Sequence, residues 1–278
     1  MKNMDISVLM SVYRSEKPAY LDRSLQSIWD DQTLKPEEIV LVQDGPVGAD
    51  LAAVIDRWRD RLGERMKLIV NEVNLGLTKS LNRGLKIAGG KYLARMDSDD
   101  ISAPTRFERQ KEYLDNHPDV AVVGGFLQEF DATHDNLGVR EYPVDNEHVM
   151  HYIYKASPLA HPTVMMRREI FDRGIRYDER YRTSQDIALW YDVLEAGYKI
   201  GNLDEVTIFF RRDGDVFKRR SREKAANEFK IYLNGIHRLY GLLTWKYAYP
   251  VARYMFRMIP TPLVARIYDS SIRTRFLQ

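Results

Sequence analysis

A short apolar run that ends in a cluster of acids constrains this chain more than any other feature. Residues 92–94 are apolar and lead directly into Asp97, Asp99 and Asp100. An open α/β sheet places its ligand site outside the carboxyl ends of its strands, which is where these acids fall. Carboxylates this close repel one another unless a cation lies among them, so the cluster predicts a site for Mg²⁺ or Mn²⁺. The alternative is an Asp-rich turn that caps a helix predicted after Pro104.

Strand-like and helix-like segments alternate through the first 123 residues. Apolar, β-branched runs predict further strands at 6–12, 38–43, 66–70 and 120–123. Apolar residues at helical spacing predict helices around residues 21–28 and at 51–62, 77–88 and 104–116. This alternation is typical of right-handed βαβ crossovers. We therefore expect an α/β fold with a mostly parallel central sheet and a nucleotide-binding half over residues 1–123.

The chain from Gly124 onward is less regular. Residues 126–142 predict a hairpin or meander, and short strands are expected at 163–166 and 206–210. Ser184 is a candidate N-cap for a following apolar helix, and Asp186 lies in the first turn of that helix. The ordinary role of an acid there is to complement the helix dipole.

Charge is divided unevenly along the chain. The 278 residues have a formal net charge of +2, but residues 218–278 contain 13 Lys and Arg against 3 Asp and Glu. This basic tail therefore carries +10 and the preceding residues carry −8, which favours an anionic surface as a partner. The absence of cysteine excludes a disulfide framework and a thiolate metal site, which fits a reducing compartment.

The tail has the composition of a membrane-associated segment. Residues 229–243 repeat apolar side chains at intervals of three and four, and the next residues mix aromatic, Met and Arg side chains. This pattern is typical of a helix in a membrane interface; the alternative is a helix that docks its apolar face on the domain and solvates its arginines. No run of 18 apolar residues and no secretion signal occurs, so no spanning segment is expected. We predict a domain over 1–217, with halves 1–123 and 124–217, and a helical membrane-associating tail over 218–278.

Five segments, in this order and spacing, resemble the family 2 glycosyltransferases. They are VLMSVYRSEKPAYLDRSLQSI, VQDGP, NLGLTKSLNRGLKIAGGKYLARMDSDD, APTRFERQ, and HPTVMMRR together with SQDIALWYDVLEAG. The resemblance covers roughly residues 6–210. It implies a GT-A fold, in which a Rossmann-like, mostly parallel sheet is flanked by helices, and an inverting enzyme that uses a nucleotide-sugar donor.

The resemblance assigns functions to the residues that match the family's motifs. Asp44 matches the acid that accepts a hydrogen bond from the uracil N–H. Asp97 and Asp99 match the D-x-D pair, with Asp97 near ribose and metal and Asp99 coordinating Mn²⁺ or Mg²⁺ on the diphosphate. Asp186 matches the catalytic base. The other nucleotide-sugar-binding candidates are Ser11, Val12, Tyr13, Lys79 and Arg95, and the acceptor-side candidates are His161 and Trp190.

The chain departs from the family's common pattern at several positions. Ser11 and Arg14 stand where many relatives have Pro and Asn, and Gln185 stands where an acid often precedes the base. Some relatives supply a His after the last strand as a further metal ligand, whereas this chain has FFRRDGDVFKRR there. The resemblance therefore leaves the third protein ligand unassigned.

The acids, the metal and Asp186 are suited to a single displacement reaction at the anomeric carbon of the donor sugar. The acids and a metal neutralise the leaving diphosphate, and Asp186 on the opposite face removes the proton of the acceptor hydroxyl, so the centre inverts. We expect transfer of a hexose, galactose or glucose by preference, from a UDP-sugar to a polyprenyl-diphosphate-linked sugar, giving a β-linkage in bacterial surface polysaccharide such as O-antigen. The protein is expected on the cytoplasmic face of the cell membrane, bound peripherally to anionic lipids.

Two other functions place acids at strand ends. A metal-dependent nucleotidylyltransferase generally needs a glycine-rich loop after its first strand, and SVYRSEKPAYL contains no glycine. A non-catalytic sugar-nucleotide-binding protein is expected to lack the base or the metal acids, and Asp97, Asp99 and Asp186 are all present. Nucleic acid is a poorer partner for the tail than lipid, because its arginines are spaced among Tyr, Met and Leu at near-helical intervals.

Overall fold

Four parallel strands form one half of the central sheet. In the computed structural model, which describes residues 4–212 and 222–258, these strands are β1 (Ile6–Val12), β2 (Glu38–Asp44), β3 (Met66–Asn71) and β4 (Tyr92–Asp97). Their order is β3-β2-β1-β4, and every neighbouring pair is parallel. β1 and β2 are buried along almost their whole length, as apolar strands covered by helices on both faces should be.

Helices connect these strands and cover the sheet. They are α1 (Pro18–Trp29), α2 (Ala49–Leu62) and α3 (Leu77–Leu85). At Gly84 in α3, a Cβ atom would lie 2.2 Å from Leu9 Cδ1 of β1, so this close approach of helix and sheet requires glycine. α3 ends at Leu85 rather than at the predicted Ala88, because the chain tightens and the Ile87 N–H donates to the Gly84 carbonyl three residues back.

Five further strands complete the sheet in the described part of the chain. They are β5 (Ile101–Ser102), β6 (Val120–Phe130), β7 (Gly138–Arg140), β8 (Met165–Arg167) and β9 (Lys199–Arg211). β8 is antiparallel to both β4 and β6, and β9 is parallel to β6. β6 continues beyond its predicted end and forms the expected hairpin with β7. β1 to β4, β6 and β9 therefore all run in the same direction.

The helices of the second half begin with α4 (Arg106–Asn116) and continue with α5 (Asn146–Tyr152), α6 (Arg168–Asp172) and α7 (Gln185–Glu195). α4 follows Thr105, whose side chain makes no capping hydrogen bond, and β5 separates it from the acids after β4. The interpretation of those acids as a helix-capping turn is therefore wrong. The predicted α/β fold with a mostly parallel, helix-flanked sheet is confirmed.

The chain divides into two compact units, Met1–Gly214 and Asp215–Gln278. The described part of the second unit contains α8 (Arg222–Tyr240) and α9 (Ala248–Met258), and Phe229 of α8 stacks on Tyr254 of α9 with 4.7 Å between ring centroids. The expected C-terminal helical appendage is therefore present. The predicted boundary between residues 217 and 218 lies outside the described residues. Among those residues, no helix combines the length and hydropathy needed to cross a bilayer.

Candidate active site

Three carboxylates converge where β4 ends. Asp97 is the last residue of β4, and Asp99 and Asp100 follow in the turn before β5. One oxygen of each carboxylate lies within 4.8 Å of the others. Asp97 and Asp99 are partly exposed, whereas Asp100 is fully buried. The cluster thus opens to solvent on one side and is anchored in the protein on the other.

Burial and neighbouring carboxylates raise the pKa of two acids of this cluster, Asp99 and Asp100. Burial, followed by the charges of Asp97 and Glu16, raises the pKa of Asp99 to about 6. Burial and the charges of Asp97 and Asp99 raise the pKa of Asp100 well above its usual range. A group of acids that resists ionisation in this way gains most from a bound cation.

Two arginines hold the backbone and side chains of the cluster in place. The buried guanidinium of Arg95 donates to both carboxylate oxygens of Asp97, with 2.6 Å from Nη1 to Oδ2. Arg211, at the end of β9, donates its backbone N–H to Asp100 Oδ1 and its Nε–H to the Asp99 carbonyl, both at 2.9 Å. The cluster is therefore fixed from β4 on one side and from β9 on the other.

Arg211 itself is clamped between aromatic rings. Its guanidinium carbon lies 3.8 Å from the ring centroid of Tyr20 in α1 and 4.6 Å from that of Phe130 in β6. Stacking of this kind orients a planar guanidinium. The contact fixes the direction of the hydrogen bond that Arg211 donates to Asp99.

The three acids fit a hard divalent cation. Asp100 Oδ2 is buried and has no hydrogen-bond partner among the described residues, so it leaves one acceptor for a ligand. The donor set consists of carboxylate oxygens alone, which suits Mg²⁺ or Mn²⁺ rather than a softer ion. Asp97 and Asp99 were the predicted ligands, and Asp100 joins them. The signal for Asp100 was already present in the spacing of D-S-D-D.

The end of β2 forms a second part of the site. The buried carboxylate of Asp44 accepts hydrogen bonds from the backbone N–H groups of Leu75 and Gly76, at 2.7 and 2.9 Å, and from Asn71 Nδ2 at 2.9 Å. Gly45 has φ +88°, and a Cβ atom there would lie 2.8 Å from the backbone nitrogen of Asn74. Asp44 therefore orders the turn that leads into α3, a role that its sequence position did not reveal.

The other nucleotide-side candidates lie along the same edge of the sheet. Ser11 pairs in register with Asp97 across β1 and β4, and buried Val12 ends β1. Tyr13 follows with its side chain half exposed, and Lys79 is an exposed residue in the first turn of α3. The structure thus places Ser11 beside the acid cluster, while Lys79 lies on the helix that Asp44 helps to position.

Asp186 lies in the first turn of α7, as predicted. Ser184 occupies the predicted N-cap position, although its side chain makes no capping hydrogen bond to the helix. Its φ of 61° is the left-handed region, which among the described non-glycine residues occurs at this position alone. Strain of this kind persists where surrounding structure enforces it and is common at functional sites.

A buried polar pair, His161 and Tyr177, lies next to Trp190 of α7. His161 Nε2 is 2.8 Å from the Tyr177 hydroxyl, and the His161 ring lies edge-on to Trp190 at 6.2 Å between centroids. Burial and the charge of Arg95 hold the pKa of His161 well below its usual range. Burial raises the pKa of Tyr177, and the charges of Asp186 and Asp97 act in the same direction. Tyr177, which the sequence did not indicate, therefore lies within electrostatic reach of both the predicted base and the acid cluster.

The segment that carries Tyr177 is fastened to α3. Asn82 Nδ2 donates to the Tyr177 carbonyl at 2.8 Å, and Thr78 Oγ1 donates to the Tyr181 carbonyl at 2.7 Å. Arg182 lies close to Gly76, since its Nη2 would be 3.8 Å from a Cβ atom built there. The turn before α3 and the loop before α7 thus meet, and sequence reasoning did not indicate Arg182 at this junction.

Comparison with known proteins identifies the family. Residues 7–175 match the family described as Glycosyl transferase family 2. The amylovoran biosynthesis glycosyltransferase AmsE of Erwinia amylovora is 34% identical over 270 residues, covering 95% of this chain and 97% of that protein. An Escherichia coli protein named UDP-Gal:alpha-D-GlcNAc-diphosphoundecaprenol beta-1,3-galactosyltransferase is 31% identical over 272 residues, covering 98% of this chain and 97% of that protein.

The fold has solved counterparts as well. The structure of residues 1–349 of S. aureus TarS superposes with a TM-score of 0.65 at 19% identity, covering 99% of this chain and 76% of that one. The expected GT-A fold is confirmed by this likeness together with the family match. On these grounds the chain belongs to glycosyltransferase family 2.

Proposed function

We propose that this protein is a metal-dependent, inverting hexosyltransferase of bacterial surface polysaccharide synthesis. It moves galactose or glucose from a UDP-sugar to a polyprenyl-diphosphate-linked sugar and forms a β-glycosidic bond. The observation that carries this proposal is the cluster of three carboxylates where β4 ends, in a chain that belongs to glycosyltransferase family 2. Charge neutralisation and a base are the two requirements for displacing a diphosphate.

The donor side is built from the ends of β1, β2 and β4. Asp44 and the turn that it orders bind the uracil of the donor, and Ser11 to Tyr13 line the ribose beside Asp97. Asp97, Asp99 and Asp100 are the residues that hold Mg²⁺ or Mn²⁺, and when bound this cation supplies charge neutralisation on the diphosphate. Arg95 keeps the Asp97 carboxylate oriented through its paired hydrogen bonds.

The acceptor side is built around α7. Asp186 accepts the proton of the attacking hydroxyl, and the strained backbone at Ser184 fixes where α7 begins. His161 and Trp190 form a buried wall behind it, with His161 neutral and bound to Tyr177. In this proposal residues 1–123 form the nucleotide half, 124–217 the acceptor half and 218–278 the membrane-associating tail.

The choice of donor and acceptor rests on the relatives. The galactosyltransferase of E. coli, by its name, transfers from UDP-Gal to a GlcNAc-diphosphoundecaprenol, and AmsE serves amylovoran biosynthesis. Both relatives align along nearly the full length of this chain. A lipid-linked acceptor lies in an anionic membrane, which agrees with the basic tail of this chain. Such an acceptor implies a peripheral protein on the cytoplasmic face of that membrane.

Product formation with purified protein tests the proposal. The assay offers UDP-galactose, UDP-glucose and UDP-GlcNAc with Mn²⁺ and a GlcNAc-diphosphate-lipid acceptor, and the expected product is a β-linked disaccharide lipid. Asp186→Asn should lower kcat by roughly 10²-fold or more with donor binding retained, because it removes only the proton acceptor. Glu195→Gln, at the exposed end of the same helix, is the matched control and should transfer normally.

Two further measurements distinguish the rival functions: release of UDP from UDP-sugars, and release of pyrophosphate when UTP and a sugar phosphate are offered instead. A non-catalytic sugar-nucleotide-binding protein binds UDP-sugars without releasing UDP, and a nucleotidylyltransferase releases pyrophosphate from UTP and a sugar phosphate. Full activity of a chelated, metal-free preparation would reject the metal dependence.

A further inference from the structure

The two arginines of α9 are directed toward α8. Nη2 of Arg253 lies 3.3 Å and Nη1 of Arg257 lies 2.7 Å from Oε2 of Glu228 in α8. Glu228 is buried, with 6% of its side chain exposed. The charged side chains of α9 are therefore directed inward, and their charge is partly neutralised there.

Other side chains on α9 and just before it are apolar and exposed. Tyr249 and Phe256 of α9 are 39 and 44% exposed, and Trp245, in the 3-10 turn just before α9, is 64% exposed. Met255 beside them is 65% exposed, and Leu242 and Leu243 in the preceding turn are 73 and 101% exposed. A surface helix normally buries its large apolar side chains, so several exposed ones in one short segment indicate an interaction site. We call these six residues, three on α9 and three in the segment just before it, the α9 face.

We propose that the α9 face inserts into the interfacial region of an anionic lipid bilayer. Tryptophan and tyrosine at its centre are the residues that favour the headgroup level of a membrane. Lys246 lies beside them, 4.6 Å from the Tyr240 ring centroid and 5.6 Å from that of Trp245. The net charge of +10 over residues 218–278 is complementary to an anionic surface. This inference rests on the membrane location in the proposed function and names the surface and mode of attachment.

The mode of membrane attachment follows from which side chains of α9 are exposed. Because Arg253 and Arg257 are paired with Glu228, apolar insertion dominates the binding and electrostatic attraction contributes less than the sequence alone would predict. Salt screens exposed charges but not buried aromatic rings. Binding is therefore expected to survive high ionic strength and to depend on the apolar residues of the face.

Trp245 provides a direct reporter. The chain has 4 tryptophans, and the other three, Trp29, Trp58 and Trp190, are 5, 4 and 0% exposed. Vesicles of phosphatidylglycerol and brominated phosphatidylcholine should quench the emission of the full-length protein, because bromine quenches on contact. Trp245→Phe should abolish the quenching while vesicle flotation persists. Absence of quenching in the wild-type protein would overturn the proposal.

Paired variants test the rest of the face. The double variant Leu243→Ser with Phe256→Ser should weaken vesicle binding at 0.5 M salt by about 10-fold or more, as expected for loss of two large apolar groups. Ile87→Ser with Val139→Ser, at exposed apolar positions of the first unit, is the matched control and should bind as wild type.

Three further results test this assignment of the α9 face. A dimer in light scattering that the same double variant dissociates would assign the face to a second copy of the chain and refute insertion. Loss of vesicle binding with intact hydrolysis of UDP-sugar separates the membrane inference from the proposed function, because hydrolysis needs no membrane. Unchanged vesicle binding of the double variant would also refute insertion.

Discussion

Lowering the pH from 7.5 to 5.0 should weaken Mn²⁺ binding at the carboxylate cluster. Burial and the charges of Asp97 and Glu16 raise the pKa of Asp99 to about 6. Protons and the cation compete for the same oxygens, so metal affinity is lost as Asp99 takes up its proton. The effect concerns a pH range in which an ordinary Asp carboxylate stays ionised.

The size of the effect follows from that pKa. With a pKa of about 6, roughly 3% of Asp99 is protonated at pH 7.5 and about 90% at pH 5.0, so this residue alone weakens apparent Mn²⁺ affinity by about 10-fold. Asp100, whose pKa is also raised, makes the loss steeper. Between the usual Asp pKa and about 6, Asp99 is protonated in the folded, metal-free protein but ionised in the unfolded chain. The contribution of Asp99 to the free energy of unfolding therefore falls as the pH rises through this range. Mn²⁺ should therefore raise the melting temperature more at pH 7.5 than at pH 5.0.

Isothermal titration of the full-length protein with Mn²⁺ at pH 5.0, 6.0 and 7.5 measures the effect, and buffers of different ionisation enthalpy count the protons released. Glu16→Gln removes one of the charges that raise the Asp99 pKa but leaves all three carboxylates of the cluster, so it should shift the midpoint to lower pH. Equal affinity at pH 5.0 and 7.5, or an unchanged midpoint in Glu16→Gln, would show that the burial and charges around Asp99 do not control the site.

Three further predictions follow from the contacts of the site. Asp44→Ala should weaken UDP binding by about 1.5–3 kcal/mol and also lower the melting temperature, because two backbone N–H groups lose their acceptor; calorimetry measures both. Gly45→Ala should lower the free energy of unfolding by about 2 kcal/mol and weaken UDP binding, whereas Gly48→Ala, with open space around its Cβ position, should do neither in urea titrations. Arg211→Lys should weaken Mn²⁺ binding by about 5-fold through loss of the hydrogen bond to Asp99 and the stacking contacts, and Arg212→Lys should not.

Sequence periodicity predicted the elements of the first half because their packing is regular. β1 to β4 are apolar runs buried on both faces, and the helices between them carry one apolar stripe each, so local pattern and burial agree. The predicted ends of strands were wrong where pairing between distant segments determines the length of the strand. β6 and β9 extend well beyond their apolar runs because they pair with each other from Val120 to Phe130.

A residue of the candidate site was predictable only where its role depends on neighbouring residues in the sequence and not on contacts with distant ones. The D-x-D-D spacing indicated the acids, but the pairing of Arg211 with Asp99 and Asp100 joins residues more than 100 positions apart. Tyr177 lies in a polar loop without periodicity, and its proximity to Asp186 and Asp97 is set by the hydrogen bonds to α3. Ser184 has the composition of an N-cap, but its backbone conformation removes its side chain from that role.

The hydrogen bond from Arg211 to Asp100 also bears on how the protein assembles during synthesis. Its two ends are separated by 111 positions, and β5 cannot pair with β9 until residue 209 has left the ribosome. The four parallel strands β1 to β4 are complete by residue 97, so most of the donor-side sheet can form while the rest of the chain is being translated. A nascent chain arrested before Arg211 should therefore be partly folded yet incompetent to retain Mn²⁺. On the proposed function, metal-dependent donor binding is then acquired only after Arg211 has been synthesised.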